Sequence, residues 1–144
     1  TGDGVVNVRS VHLEDWGNRG VVLSACEGGR VDSCDIHGGD VQGTTTDYVG
    51  IEIGATCERC WVVNNRVFDS GNTAATARAV ECSGDRVFIT NNDLKVAAGA
   101  AAKTGYYLGA ASSYCIVDAN QTNGQGTWVG GGPHSIGAMN RDDA

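Results

Sequence analysis

Basic clusters and long apolar runs are both missing from this sequence. Ten Lys and Arg residues stand against 17 Asp and Glu, for a net charge of −7. Binding to nucleic acid or to anionic membranes needs clustered cations that replace counterions, so this charge pattern argues against both. No apolar run approaches the roughly 20 residues of a membrane-spanning helix, and residues 1–10 lack the basic and apolar regions of a signal peptide. We therefore predict no nucleic-acid partner and no membrane insertion.

Proline is also scarce, with Pro133 alone, whereas glycine occurs 22 times in 144 residues. This balance, with few aromatic residues, favours many short elements joined by tight bends over long helices. No linker-like stretch divides the chain, so residues 1–144 are predicted to form a single domain with one core. Because the sequence begins with a strand-like pattern and lacks an initiating Met, we expect it to be a fragment of a longer chain.

The six cysteines allow two interpretations. In an oxidising compartment they could form three disulfides. We favour free thiols, because most of the cysteines stand beside Val and Ile in strand-like patterns, where cysteine behaves as a small buried hydrophobe. Cys57 and Cys60 have the spacing of half a zinc site, but no second pair completes it. The sequence therefore predicts neither a metal site nor a cofactor.

A loose internal repeat of the form apolar-x-x-Asn-x-apolar is the strongest signal in the sequence. VVNNRV (62–67) and ITNNDL (89–94) match it, and VDANQT (117–122) matches except for its final Thr. VDSCDI (31–36) and VNVRSV (6–11) keep the apolar positions and lose the Asn. The final positions are 25, 31, 27 and 28 residues apart; they are Val11, Ile36, Val67, Leu94 and Thr122.

A second strand-like segment recurs at a similar period. It is seen in GVVLSA (20–25), GIEIGA (50–55), RAVECS (78–83), GYYLGA (105–110) and TWVGG (127–131). Its alternation places mostly apolar pairs on one face: Val21/Leu23, Ile51/Ile53, Val80/Cys82 and Tyr106/Leu108. After TWVGG, SIGAMN (135–140) has the pattern of a shortened last repeat.

Two strand sets at one period predict an all-β fold, a right-handed single-stranded parallel β-helix (solenoid) of about five rungs. Each strand would stack on its counterpart in the next rung at about 4.8 Å. Asn tolerates the bend between strands, and stacked amides can hydrogen-bond along the coil, so Asn65, Asn92 and Asn120 are predicted to form a structural ladder. An α/β fold lacks helical periodicity outside VAAGAAAK (96–103), and a leucine-rich solenoid lacks regular leucines.

These repeats resemble those of the pectate-lyase-like superfamily of right-handed β-helices, over nearly the whole chain. The superfamily includes polysaccharide lyases and hydrolases, alginate epimerases and bacteriophage tailspikes, and a tailspike or related virion fibre is the most similar in character. The resemblance implies a homotrimer that binds polysaccharide, located in the virion after synthesis in the host cytoplasm, or alternatively secreted. The Asn-Thr-Asp and Gly-His-Gly motifs of polygalacturonase-like hydrolases are missing. Fold alone is a weak warrant for chemistry.

If the apolar pairs face inward, their neighbours stack in an outward column of Val22, Glu52, Glu81, Tyr107 and Trp128. Glu52 and Glu81 would then be adjacent, at the separation of about 5 Å that suits nucleophile and acid/base in retaining glycoside hydrolysis. Tyr107 and Trp128 could stack on sugar rings as a substrate-binding track. Alternatively, the column faces solvent or another subunit, and its glutamates are neutralised by Arg59, Arg78 or Arg86.

Three function hypotheses follow. The first is a binding module of a tailspike-like fibre that recognises host-surface polysaccharide. The second is a polysaccharide depolymerase using Glu52 and Glu81, and the third is a purely structural fibre shaft or tip. A weaker candidate is a general base at His37 near Asp32 and Asp35, for which a turn in Asp-Ile-His-Gly is the more ordinary interpretation.

Overall fold

The computed structural model describes residues 5–38, 47–70, 76–96, 102–122 and 136–138. In these ranges the regular structure consists of β-strands, and no helix is present that could cross a membrane. The strands are β1 (Asn7–Arg9), β2 (His12–Leu13), β3 (Arg19–Leu23), β4 (Arg30–Asp32), β5 (Asp35–His37), β6 (Asp47–Ile53), β7 (Trp61–Val63), β8 (Arg66–Ser70), β9 (Thr76–Cys82), β10 (Phe88–Thr90), β11 (Asp93–Val96), β12 (Ala102–Leu108), β13 (Ile116–Asp118) and β14 (Ile136–Ala138).

The strands form three parallel sheets, and consecutive strands from β1 to β13 lie in different sheets. Sheet A has the order β1-β4-β7-β10-β13-β14, sheet B β2-β5-β8-β11, and sheet C β3-β6-β9-β12. Each strand therefore pairs with the strand three places further along the chain, until β14 follows β13 directly. This arrangement is consistent with a parallel β solenoid and confirms that the fold is all-β with parallel strands.

The apolar-x-x-Asn-x-apolar segment contains two strands and the bend between them. In VVNNRV the chain leaves sheet A after Val63 and enters sheet B at Arg66. The residue before the Asn position has a positive φ in each repeat, 57° at Asn64 and 55° at Asn91, a conformation that Asn tolerates better than most residues. Thus three strand sets recur where the sequence predicted two, because the segment that contains the predicted bend supplies one strand to sheet A and one to sheet B.

The register of the first repeat differs from the predicted one by two residues. Val31 pairs with Val8 and Ile36 pairs with Leu13, whereas the pattern had placed Val11 in the column of Ile36. Val11 instead takes the Asn position, and Arg9 lies opposite Asp32. Val6 and Val11 are five residues apart, and so are Val8 and Leu13, so the apolar spacing alone did not distinguish the two registers.

The core lies between the three sheets and is built from columns of inward side chains. Val31, Val62, Ile89 and Val117 are fully buried in sheet A, and Ile36, Val67 and Leu94 in sheet B. In sheet C the predicted inward column of Leu23, Ile53, Cys82 and Leu108 is in register and buried. Burial of each such aliphatic side chain contributes about 1.5–3 kcal/mol, and each column is completed only by the repeats above and below it.

Asn65, Asn92 and Asn120 lie in one buried column at the bend between sheets A and B. Asn65 Nδ2 donates to Asn92 Oδ1 at 3.0 Å, and Asn92 Nδ2 donates to Asn120 Oδ1 at 2.8 Å. The same two oxygens accept the backbone N–H of the preceding asparagine at 2.9 and 3.0 Å. Asn65 Oδ1 accepts the Cys34 N–H at 3.0 Å. Each amide also donates to a carbonyl of sheet A, those of Val31, Val62 and Ile89.

Candidate functional site

The outer column of sheet C consists, in the described residues, of Val22, Glu52, Glu81 and Tyr107. The strand registers pair these residues in that order, because alternation turns them outward when Leu23, Ile53 and Leu108 turn inward. The column thus brings Glu52 and Glu81 together on adjacent strands and places Tyr107 beside Glu81. Trp128, the fifth residue of the predicted column, lies outside the described residues.

Each glutamate of this column is paired with an arginine. Arg19 Nε donates to Glu52 Oε2 at 2.5 Å, and Arg78 Nη1 donates to Glu81 Oε2 at 2.8 Å. Asp47 joins the two halves, because its Oδ2 accepts from Arg19 at 3.0 Å and its Oδ1 from Arg78 at 3.1 Å. We call these five residues the sheet C network. Like charges on adjacent strands are unfavourable, and here each carboxylate has a guanidinium partner.

The arginine partners were only partly predicted. Arg78 pairs with Glu81 as proposed, whereas Arg59 pairs with Glu27 and Arg86 with Glu58 and Asp85. Arg19 was missed, although it precedes Leu23 by the same four residues that separate Arg78 from Cys82. Extending the periodic alignment toward the start of each strand would have found it.

Tyr107 completes the sheet C face with an aromatic ring. The Arg78 guanidinium carbon lies 4.6 Å from the ring centroid, a cation–π distance that fixes both groups. Tyr107 is half-buried, so part of its ring remains accessible. The face therefore presents a ring next to guanidinium donors and carboxylate acceptors, with all the charged side chains held by one another.

A second polar cluster lies on the outer face of sheet B. Asp35 and His37 are on β5, and His12 on β2 is opposite Asp35. His12 Nε2 lies 3.0 Å from Glu14 Oε1, and His12 Nδ1 lies 3.3 Å from Asp35 Oδ2. The hydrogen bond with Glu14 raises the pKa of His12, and the charges of both carboxylates add to this although residual burial opposes it.

The sequence had grouped His37 with Asp32 and Asp35, and the structure separates Asp32 from this group. Asp32 ends β4 in sheet A, where it accepts hydrogen bonds from Arg30, Ser33 and Asn64. Those bonds and the Arg30 charge lower the pKa of Asp32 in spite of the desolvation that acts against them. His12 takes the place of Asp32 beside Asp35, which periodicity did not reveal because the first repeat was out of register.

The chain was compared with family models, with curated proteins and with solved structures. None of these comparisons found a match. Inference about function therefore depends on the side chains that the fold brings together. In the described residues these include the sheet C network and the group of His12, Glu14, Asp35 and His37, which we call the sheet B cluster.

A pocket of about 350 Å³ adjoins the sheet B cluster. Its lining includes residues from three neighbouring strands, namely Asp35, His37, Arg66, Phe68 and Lys95. The Arg66 guanidinium lies 4.3 Å from the centroid of the Phe68 ring, and Lys95 Nζ lies 6.0 Å from it. The pocket lining thus combines an aromatic ring with acidic and basic side chains.

All six cysteines are buried thiols and none forms a disulfide. Cys26, Cys57 and Cys60, which we call the cysteine cluster, converge in the core, with the Cys26 sulfur 3.6 Å from that of Cys57 and 3.5 Å from that of Cys60. Burial raises the pKa of each of the three. A thiol in such surroundings stays protonated near neutral pH and packs as a small apolar side chain.

Proposed function

We propose that this chain is a polysaccharide-binding module of a tailspike-like virion protein. In this proposal the parallel strands wind as a right-handed single-stranded β-helix of about five rungs, in a homotrimer and with the pectate-lyase-like relationship that the repeats imply. The sheet C face is the sugar-binding surface. The observation that carries the proposal is the sheet C network next to Tyr107.

The network supports sugar binding because its polar groups are held in place before any ligand arrives. Sugar hydroxyls both donate and accept hydrogen bonds, and the face supplies guanidinium donors and carboxylate acceptors within one surface. Arg19, Arg78 and Glu81 are each less than one-third exposed, so little rotamer freedom remains to be lost on binding. The Tyr107 ring offers an apolar surface of the kind that stacks on a sugar ring.

The same geometry favours binding over hydrolysis. A retaining glycosidase needs one carboxyl group that delivers a proton to the leaving group and a second that attacks the sugar. Glu52 and Glu81 each have an oxygen occupied by a guanidinium, which neutralises the carboxylate and supplies no proton to a leaving group. Glu52 and Glu81 are in register, but each has the same kind of arginine partner. An acid and a nucleophile need different environments, so this arrangement fits a charge-balanced binding surface better.

A subunit contact on sheet A would fit a trimer. The Trp61 and Phe88 rings stack with centroids 6.0 Å apart and an interplanar angle of 9°, and Ile116 continues the same outward column. All three side chains are half-buried, and a partner subunit would cover the remaining apolar surface. This leaves sheet C accessible for sugar.

The test is binding to a panel of capsular and O-antigen polysaccharides, followed by affinity electrophoresis or calorimetry with any that bind. Tyr107→Ala should weaken binding by about fivefold or more, since a stacking contact is worth about 1–1.5 kcal/mol. Tyr107→Phe should retain most of it. Tyr114→Ala is a matched control, because Tyr114 is an exposed tyrosine near another arginine, Arg86.

Four outcomes would contradict parts of the proposal. Unchanged affinity in Tyr107→Ala would remove sheet C as the sugar site. New reducing ends or unsaturated products, lost in Glu52→Gln and Glu81→Gln, would favour the depolymerase instead. A monomer in sedimentation velocity would contradict the trimer, and protection of Tyr107 in a subunit interface would favour a purely structural shaft.

A further inference from the structure

The outer face of sheet B holds two imidazoles and two carboxylates on neighbouring segments. His12 lies on the first strand of this sheet and Glu14 follows that strand, while Asp35 and His37 lie on the next strand. The ladder pairs His12 with Asp35 and Leu13 with Ile36. Because Leu13 and Ile36 turn inward, the four polar residues turn outward on the same side. Backbone pairing, and not loop conformation, sets the spacing of the β2 and β5 residues.

The ligand atoms of this group lie close to one another. Those of His12, Asp35 and His37 are all within 4.8 Å of one another. Glu14 Oε1 is 3.0 Å from His12 Nε2 and 3.3 Å from His37 Nε2, so one carboxylate oxygen lies beside both imidazoles. The two rings meet edge to face with centroids 4.8 Å apart. Four donors of nitrogen and oxygen type thus converge on a small region of the surface.

We infer that His12, Asp35, His37 and Glu14 form a binding site for a divalent transition-metal ion of the Zn(II) type. Two imidazole nitrogens with carboxylate oxygens are the ligand set that such ions prefer, whereas Mg²⁺ and Ca²⁺ prefer oxygen alone. Metal–ligand bonds are about 2.0–2.2 Å long, so the ligand atoms that are farthest apart would have to move closer together. Their side chains are 34–57% exposed, so small rotations of partly free groups suffice.

The surroundings leave the site open on one side. Asp35 and His37 also line the 350 Å³ pocket, whose other residues are Arg66, Phe68 and Lys95. Zn(II) sometimes expands from four ligands to five, so an ion held by the cluster could add one water or one ligand oxygen from the pocket. Arg66 and Lys95 oppose the cation electrostatically, while the two carboxylates attract it. This site is on a different sheet from the sheet C network, and the inference does not depend on the proposed sugar binding.

Isothermal titration calorimetry of the reduced chain with ZnCl₂ tests the inference directly. We expect one ion per chain, and no comparable heat with MgCl₂. His12→Ala, His37→Ala and Asp35→Asn should each lower the Zn(II) affinity by at least tenfold. Asp32→Asn is the matched control, since Asp32 is in the same repeat but in sheet A, and it should leave the affinity unchanged. Circular dichroism verifies that each variant keeps the strand signal of the parent.

The sulfurs of the cysteine cluster are also close enough together to hold a metal ion, so the experiment separates the two sources. Cys57→Ala, which removes one sulfur of the cysteine cluster, should leave the affinity unchanged. Absence of Zn(II) binding, or binding that Cys57→Ala abolishes and the histidine variants do not, would overturn the inference. Retention of full affinity in the double variant His12→Ala/His37→Ala would overturn it as well. None of these results bears on whether the sheet C face binds sugar.

Discussion

Asn92 occupies the middle of the asparagine ladder, and its replacement by alanine tests how the bends between sheets A and B are held. The substitution removes four hydrogen bonds, two donated by Nδ2 to Val62 O and Asn120 Oδ1 and two accepted by Oδ1 from Asn65. Asn65 N–H then loses its acceptor, and Val62 O loses a donor, at a site that is 2% exposed. Each buried group left unsatisfied costs about 1–3 kcal/mol.

We therefore expect Asn92→Ala to lower the free energy of unfolding by roughly 3–5 kcal/mol, a large part of the roughly 5–15 kcal/mol of a typical domain. Urea unfolding followed by circular dichroism and by the fluorescence of buried Trp16 measures this value. The control is Asn91→Gly, next to Asn92 but exposed and at φ 55°, where glycine fits without strain. Its effect should stay below about 1 kcal/mol. Equal effects of the two substitutions would refute the role of the ladder.

Asn92→Asp gives a second, independent measurement with a defined pH dependence. The aspartate keeps an oxygen for Asn65 N–H but loses the amide that donates to Val62. Burial and the facing Asn120 oxygen raise its folded-state pKa. Stability is therefore fully present below the unfolded-state pKa of about 3.9 and falls as the pH rises through the folded value. The variant should be less destabilised at pH 4 than at pH 7, and an unchanged difference would contradict a buried position for this side chain.

Further predictions concern steric contacts, thiol protonation and the sheet C charges. Gly20→Ala would place a Cβ 2.5 Å from a backbone oxygen of the next strand, whereas Gly17 has open space around it. In urea unfolding, Gly20→Ala should lower the free energy of unfolding by at least about 2 kcal/mol, and Gly17→Ala should change it little. Burial raises the pKa of the thiols in the cysteine cluster above the ordinary value of 9.0. The stability that depends on neutral thiols is therefore present below pH 9 and falls as the pH rises above that value. Urea unfolding under reducing conditions at pH 7 and pH 10 measures the loss in free energy of unfolding. Arg78→Ala leaves Glu81 without its 2.8 Å partner opposite Glu52 and should cost about 1 kcal/mol at low salt and less in 0.5 M NaCl.

The strand columns of sheet C were predictable because each contains the same alternation at nearly the same period. Leu23, Ile53, Cys82 and Leu108 were assigned as inward, and their neighbours as outward, from periodicity alone. A bend at the Asn position was predicted, but the segment was still counted as one strand set, since a bend of two residues such as Asn64-Asn65 does not interrupt the apolar spacing. The sequence of a segment shows which position of the repeat each residue occupies. How the repeat is divided into strands depends on backbone geometry, which the sequence pattern does not show.

The candidate sites were less predictable than the fold. Glu52 and Glu81 followed directly from the outward column, but Arg19 and Asp47 lie beyond the segment in which the repeat was recognised. His12 and Glu14 were missed because the first repeat matched the pattern in two registers, and only strand pairing places His12 opposite Asp35. Side chains that meet across strands are found from sequence only when the register of every repeat is known.

The positive-φ bend recurs at the same position of the five repeats whose bends lie in the described residues, at Ser10, Ser33, Asn64, Asn91 and Ala119. Each repeat therefore turns at the same point, and each asparagine of the ladder contacts only the repeats on either side of it. Deletion of residues 65–91, one full period, would join Asn64 to Asn92 and so restore the pair of bend and ladder asparagines. A change in length by whole repeats would therefore leave one bend in each remaining repeat.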